Sequence, residues 1–181
     1  PPAIEGAADG AAALPGMHRL LAQAEAEGAD ALVIACFDDP GLAEAQAAAR
    51  CPVLGLGHSA YLMALTLGVR FSVVTSTAAS LPVIEDNIAR LGFSGACASV
   101  RASGLGVLTI EAGAEPTRAR LAAEIAMARD ADGAGAVVLG CAGMAPLRDD
   151  LARRTGMRLI DGVEASAFLA HAAAGFALLT A

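Results

Sequence analysis

GADALVIAC at residues 28–36 and GAGAVVLGC at residues 133–141 are one segment written twice. Five of the nine positions are identical (Gly28/Gly133, Ala29/Ala134, Ala31/Ala136, Val33/Val138, Cys36/Cys141), and the other apolar positions keep their character. The offset of 105 residues continues past the cysteines without a gap, with Leu42 on Leu147, Leu54 on Leu159, Gly57 on Gly162 and Ala60 on Ala165. An apolar run unbroken by polar alternation is what a strand covered on both faces of a parallel sheet requires. Each copy therefore predicts a buried strand ending in a cysteine, and the repeat predicts an internal duplication.

Outward from these strands the chain alternates between short β-prone runs and longer helical ones. PPAIEGAADG at the start, dense in Pro and Gly, reads as a loop, and helical spacing runs from Pro15 to Gly28. Asp38, Asp39, Pro40 and Gly41 supply a cap and a first-turn proline for a helix over 40–50. A strand at 53–56, a helix at 57–67, a β-branched strand at 70–75 and a helix opened by Ser80 and Pro82 follow. Residues 94–114 predict one strand near 98–101 and a Gly-rich connection. Pro116 opens a long helix to Arg129. After the second copy of the strand, 146–154, 158–160 and 163–179 repeat the helix, strand, helix order of the first half. The predicted class is α/β: two similar parallel-sheet lobes related by a pseudo-twofold duplication, residues 1–68 with 158–181 and residues 69–157, with the active site in the cleft between them.

The totals narrow the function. The chain has 181 residues, 56% of them hydrophobic, enough for a large core, and only 3% aromatic, so Ala, Val, Leu and Ile must build it. All 12 basic residues are Arg, and the net charge of −7 argues against a nucleic-acid or anionic-membrane surface. The apolar C-terminal stretch carries Glu164 and His171, which favours a docked helix over a membrane span. The four cysteines follow no dense disulfide framework, so free thiols in a cytoplasmic setting are expected. No paired Cys or His at metal-ligand spacing occurs, so neither metal nor cofactor is expected.

Cys36 and Cys141 each stand at a strand end before a predicted helix N-terminus, where backbone N–H groups and the helix dipole lower a thiol pKa. Small cysteines also close apolar strands for packing alone, but a duplicated placement favours function. Asp38 and Asp39 pull the other way, since nearby carboxylates raise a thiol pKa. Cys51 and Cys97 have no counterpart in the repeat and read as packing. GLGHSA at 55–60 is a weak variant of the dinucleotide fingerprint; the position of its acidic partner holds Thr75 and Ser76, and helix packing is the better account of Gly57 and Ala60.

With the cysteines placed, the chain resembles the aspartate/glutamate racemase superfamily, in its hydantoin and allantoin racemase branch. The carriers are PPAIEG at 1–6, VIACFDDPGL at 33–42, RFSVVTST at 70–77, PVIEDN at 82–87, VLGCAGM at 138–144 and IDGVEA at 160–165. Amino-acid racemases of the superfamily carry a Cys-Asn-Thr run and a Gly-Cys-Thr run, whose polar threonines suit a substrate carboxylate. Phe37 and Ala142 stand there in this chain and suit a neutral ring.

The resemblance implies a cofactor-independent racemase of 5-substituted hydantoins or a similar cyclic ureide, forming homo-oligomers and acting on a small molecule. Cys36 and Cys141 would be the catalytic pair, one removing the C5 proton as thiolate and the other delivering a proton to the opposite face. Backbone N–H groups of Phe37, Ala142 and Gly143 would hold developing enolate charge, with Gly140, Thr75 and Ser76 completing the polar wall and Ile4 the side-chain pocket. An amino-acid racemase, arylmalonate decarboxylase or maleate isomerase of the same fold, or a ligand-binding module without chemistry, are the alternatives. Members of the family ordinarily begin with a strand, helix and strand that would precede Pro1, so an incomplete chain with an exposed apolar edge and an open pocket is expected.

Overall fold

The computed structural model describes residues 3–180; Pro1 and Pro2 of the predicted opening loop lie outside that range. The chain runs α1 (Ala7–Ala26), β1 (Leu32–Ile34), α2 (Leu42–Ala48), β2 (Val53–Gly55), α3 (Leu56–Thr66), β3 (Phe71–Thr75), α4 (Leu81–Arg90), β4 (Cys97–Ala102), α5 (Val107–Ala112), α6 (Glu115–Asp130), β5 (Ala136–Gly140), α7 (Arg148–Thr155), β6 (Leu159–Asp161) and α8 (Gly162–Thr180). A 3-10 turn over Ala142–Leu147 joins β5 to α7. The strands form two parallel sheets: β1 with β2, and four strands in the order β4-β3-β5-β6. The α/β class with parallel sheets therefore holds.

The four-stranded sheet is built as its apolar runs require. Every residue of β3 and β5 is buried. Val73 and Val138 turn to one face, into a cluster with Leu56, Tyr61, Ile84 and Ile88. Val74, Val137 and Leu139 turn to the other, against Ile110, Leu121, Ile125 and Leu151. β1 departs from the expected double burial: Leu32 and Ile34 pack toward α1 and α2, but Val33 between them is 37% exposed.

The scarce aromatics are used together. Tyr61 is fully buried, stacks on Phe71 with ring centroids 5.5 Å apart, meets Phe37 edge-on at 5.9 Å and tilts against Phe93 at 5.6 Å. An aliphatic core alone, as composition predicts, is thus corrected: four of the six aromatic rings pin the Cys36 loop and α3 to the four-stranded sheet.

Other boundaries differ for local reasons. α1 begins at Ala7, not near Pro15, because AADGAAAL has high helix propensity without an apolar period; Pro15 lies inside it. The Gly-rich connection after β4 holds the short helix α5, stopped by the left-handed Gly113. Pro146 belongs to the 3-10 turn, and α7 starts after it. The predicted division grouped 158–181 with the first lobe; β6 pairs with β5 of the four-stranded sheet, whereas α8 lies against α3, β1 and β2. No helix among the described residues is long and apolar enough to cross a membrane.

Candidate active site

Both repeated cysteines end a strand and open a turn of the same design. The Cys36 carbonyl accepts from the Asp39 N–H at 3.1 Å, and the Cys141 carbonyl accepts from the Met144 N–H at 3.0 Å. In each turn the N–H two residues beyond the cysteine lowers the pKa of its thiol, Asp38 for Cys36 and Gly143 for Cys141. The offset of 105 aligns every one of these partners.

The two turns meet at one cavity of about 160 Å³. Its wall contains eight of the nine predicted site residues: Cys36 and Phe37 from the first turn, Gly140, Cys141, Ala142 and Gly143 from the second, Ile4 from the N-terminal segment and Ser76 after β3. Thr75 is the exception and a correction. It is fully buried within β3, and its hydroxyl donates to the Gly140 carbonyl at 2.8 Å, so it ties two strands together and lines no wall. The Gly143 N–H, expected to hold a substrate oxygen, also favours the ionised form of Cys141.

Four wall residues were missed from sequence: Ala35, Asp38, Ser80 and Val107. In sequence Asp38 reads as part of a helix cap and as a charge beside the thiol, and Ser80 reads as a helix start. Val107 sits in a stretch with no readable period. Its N–H is bound by Glu5 Oε1 at 2.7 Å, which fastens the Ile4 segment across the cavity to the first turn of α5.

The electrostatics overturn the expected thiolates. Burial pushes the Cys36 thiol up to about 12; the Asp38 N–H pulls it down, and the charges of Asp38, Asp39 and Cys141 add to the rise. Burial raises Cys141 as well, opposed by the Gly143 N–H and reinforced by Asp38, Glu5 and Glu111. Desolvation wins because neither sulfur sits on the axis of a long helix: α2 starts only at Leu42, behind the left-handed Gly41, and Cys141 leads into a 3-10 turn. Both groups therefore rest as thiols at neutral pH.

Asp39 does not cap its own helix. It adopts a left-handed φ of 47° and sends its carboxylate to the N-terminus of α3, accepting from Gly57 N–H at 3.1 Å and His58 N–H at 2.7 Å. A Cβ at Gly55 would overlap that carboxylate, and one at Gly57 would lie 2.6 Å from the Phe37 carbonyl. The glycines of GLGHSA therefore make room for Asp39 at the helix end where a dinucleotide's phosphate would otherwise bind. Burial nonetheless raises Asp39 to about 7 against the pull of these amides.

The remaining cysteines and histidines stand elsewhere. Cys51 packs beside β1 and β2, and Cys97 packs against the aromatic cluster with its sulfur donating to the Ser99 carbonyl at 3.5 Å. His18 lines a separate, largely apolar cavity of about 330 Å³ between α1, β1 and α2. Burial lowers the pKa of His58, which leans on Phe93. All four cysteines carry free thiols.

Fold and cavity together define a parallel α/β protein of the kind that binds small molecules beyond the carboxyl ends of its strands. The chain belongs to the Asp/Glu/Hydantoin racemase family, whose profile matches residues 1–170. It is 46% identical over 175 residues to a hydantoin racemase of Rhizobium meliloti, covering 97% of this chain and 73% of the relative. A hydantoin racemase of a Pseudomonas species (strain NS671) is 38% identical over 165 residues, 91% of this chain and 66% of the relative. Among solved structures, allantoin racemase from Klebsiella pneumoniae superposes with a TM-score of 0.88 at 37% identity, over 94% of this chain and 70% of that one. These similarities make the chain a racemase, an isomerase.

Proposed function

We propose that the chain racemises a 5-substituted hydantoin or a similar cyclic ureide such as allantoin, with Cys36 and Cys141 as the two proton-transfer groups and no cofactor. The observation that carries this reading is the pair of matched turns, closed by the same backbone hydrogen bond, which deliver two sulfurs to one cavity. The relatives named hydantoin racemase and allantoin racemase supply the substrate class.

The reaction needs a weakly acidic C–H beside a carbonyl to lose its proton on one face and regain one on the other. Both sulfurs rest protonated, so bound substrate must favour the ionisation of one of them. That thiolate then takes the C5 proton, and the opposite thiol gives up its own. The Phe37 and Ala142 N–H groups are the proposed donors to the oxygen on which enolate charge develops. Ile4 and Val107, joined through Glu5, form the proposed seat of the 5-substituent.

Optical rotation of a single-enantiomer 5-substituted hydantoin tests the reading. Cys36→Ala and Cys141→Ala should each lower kcat by about 10²–10⁴-fold with an unchanged fold. Full activity in either variant contradicts the two-thiol site.

A further inference from the structure

We propose that Asp38 is the charged specificity group of the cavity: its carboxylate accepts an N–H of the neutral ureide ring and repels substrates that carry a carboxylate of their own. The substrate half of this assignment rests on the cyclic-ureide reading above.

Asp38 is the one ionisable oxygen acid among the residues that line the cavity; the rest of the wall is apolar, hydroxyl, thiol or backbone. It is 7% exposed, so its charge is felt by whatever enters rather than by bulk water. Two contacts hold it in place. The Ser80 hydroxyl donates to its Oδ2 at 3.2 Å, and the Asn87 side-chain amide donates to its backbone carbonyl at 2.8 Å. Among the described residues no cation is paired with it: Arg90, on the same side, is bound to Asp86 at 2.7 Å. Asp39, adjacent in the chain, is turned to the α3 amides, and Glu5 to the Val107 amide. The Asp38 residue lines the same cavity as Cys36 and Cys141, and its charge raises both thiols. Burial raises it to about 6, so it is mainly ionised at neutral pH.

A buried carboxylate without a paired cation is a poor neighbour for a second carboxylate and a good acceptor for a neutral N–H. A hydantoin ring offers such donors and carries no carboxylate. Its hydrolysed form, the N-carbamoyl amino acid, keeps the same side chain and ureido N–H but adds a carboxylate. The two compounds thus differ in the feature that Asp38 reads.

The test is competitive binding at pH 8 of one 5-substituted hydantoin and of its N-carbamoyl amino acid to wild type and Asp38→Asn. The ring should bind about 10-fold more weakly to the variant and the carboxylate about 10-fold more tightly, as expected for a charge-assisted hydrogen bond exchanged for a lost repulsion. Equal changes in both affinities, or none, overturn the assignment. A wild type that binds no hydantoin sinks the ureide reading, yet the carboxylate arm still decides whether Asp38 repels anions. If Asp38→Asn does not fold, the wild type alone decides. Its affinity for the carboxylate, which stays ionised above about pH 4, should rise as pH falls through about 6. A flat profile there overturns the assignment. The groups besides Asp38 that face this part of the cavity or its surroundings are Cys36, Cys141, Asp39, Glu5, Glu111, Asp86 and Arg90.

Discussion

The turn at Cys36 and the turn at Cys141 share their hydrogen bonds and differ in what surrounds the sulfur. The N–H donor to Cys36 belongs to an aspartate, and the donor to Cys141 belongs to a glycine. Before the cysteine stands Ala35 in one copy and Gly140 in the other; after it, Asp39 reaches another helix in one copy and Met144 is core in the other. Each difference follows from position in the sheets. Among the described residues β1 pairs with β2 alone, whereas β5 lies between β3 and β6. A repeated sequence therefore gives a repeated turn, and the neighbouring strands decide what each copy can carry.

Among changes that keep both sulfurs, the largest expected effect comes from erasing the difference at the donor position. Gly143→Asp places a second carboxylate beside the cavity, where an added Cβ would meet nothing nearer than 3.5 Å. Steady-state racemisation should fall at least about 10-fold, because a like charge raises thiol pKa by about a unit or more. The melting temperature should change little.

Gly140→Ala sharpens the contrast with Ala35. Its Cβ would stand 2.9 Å from Thr75 Cβ, Val73 Cγ1 and the Val74 carbonyl, all in a fully buried strand. Urea unfolding should show a loss of about 1–3 kcal/mol. The converse change, Ala35→Gly, falls on an exposed position and should cost less.

Asp39→Ala removes the acceptor for two α3 amides and should lower stability at pH 5 by about 0.5–2 kcal/mol. The pH dependence carries a definite sign. Asp38 and Asp39 are raised from 3.8 to about 6 and about 7, so the folded protein holds protons that the unfolded chain has released. That contribution to stability is full below about pH 4 and is lost as pH rises through about 6 to 7. Midpoints of urea unfolding between pH 4 and pH 8 should decline for wild type and decline less for Asp39→Asn.

Much of this was legible in the residues. The unbroken runs FSVVT and AVVLG become the two fully buried central strands, and the offset of 105 residues marks both cysteine turns. What stayed hidden depends on partners distant in sequence. Thr75 reads as a polar wall residue until Gly140 is brought beside it. GLGHSA reads as helix packing, and only the fold shows that its glycines make room for the Asp39 carboxylate at the helix end. The thiols read as activated because a helix follows each one, but burial is a property of the assembled cleft and outweighs the turn amides. Val107 needs Glu5, more than a hundred residues away, to become part of a wall.

The central claim is that two thiols act on opposite faces of one carbon, and the hydrogen at C5 reports on it directly. In D₂O, proton NMR of each hydantoin enantiomer early in the reaction with wild-type enzyme should show the inverted product carrying deuterium at C5 and the recovered substrate still carrying protium, in both directions. Deuterium entering recovered substrate as fast as product, or protium carried through into the product, would mean that one group serves both faces and would contradict the account.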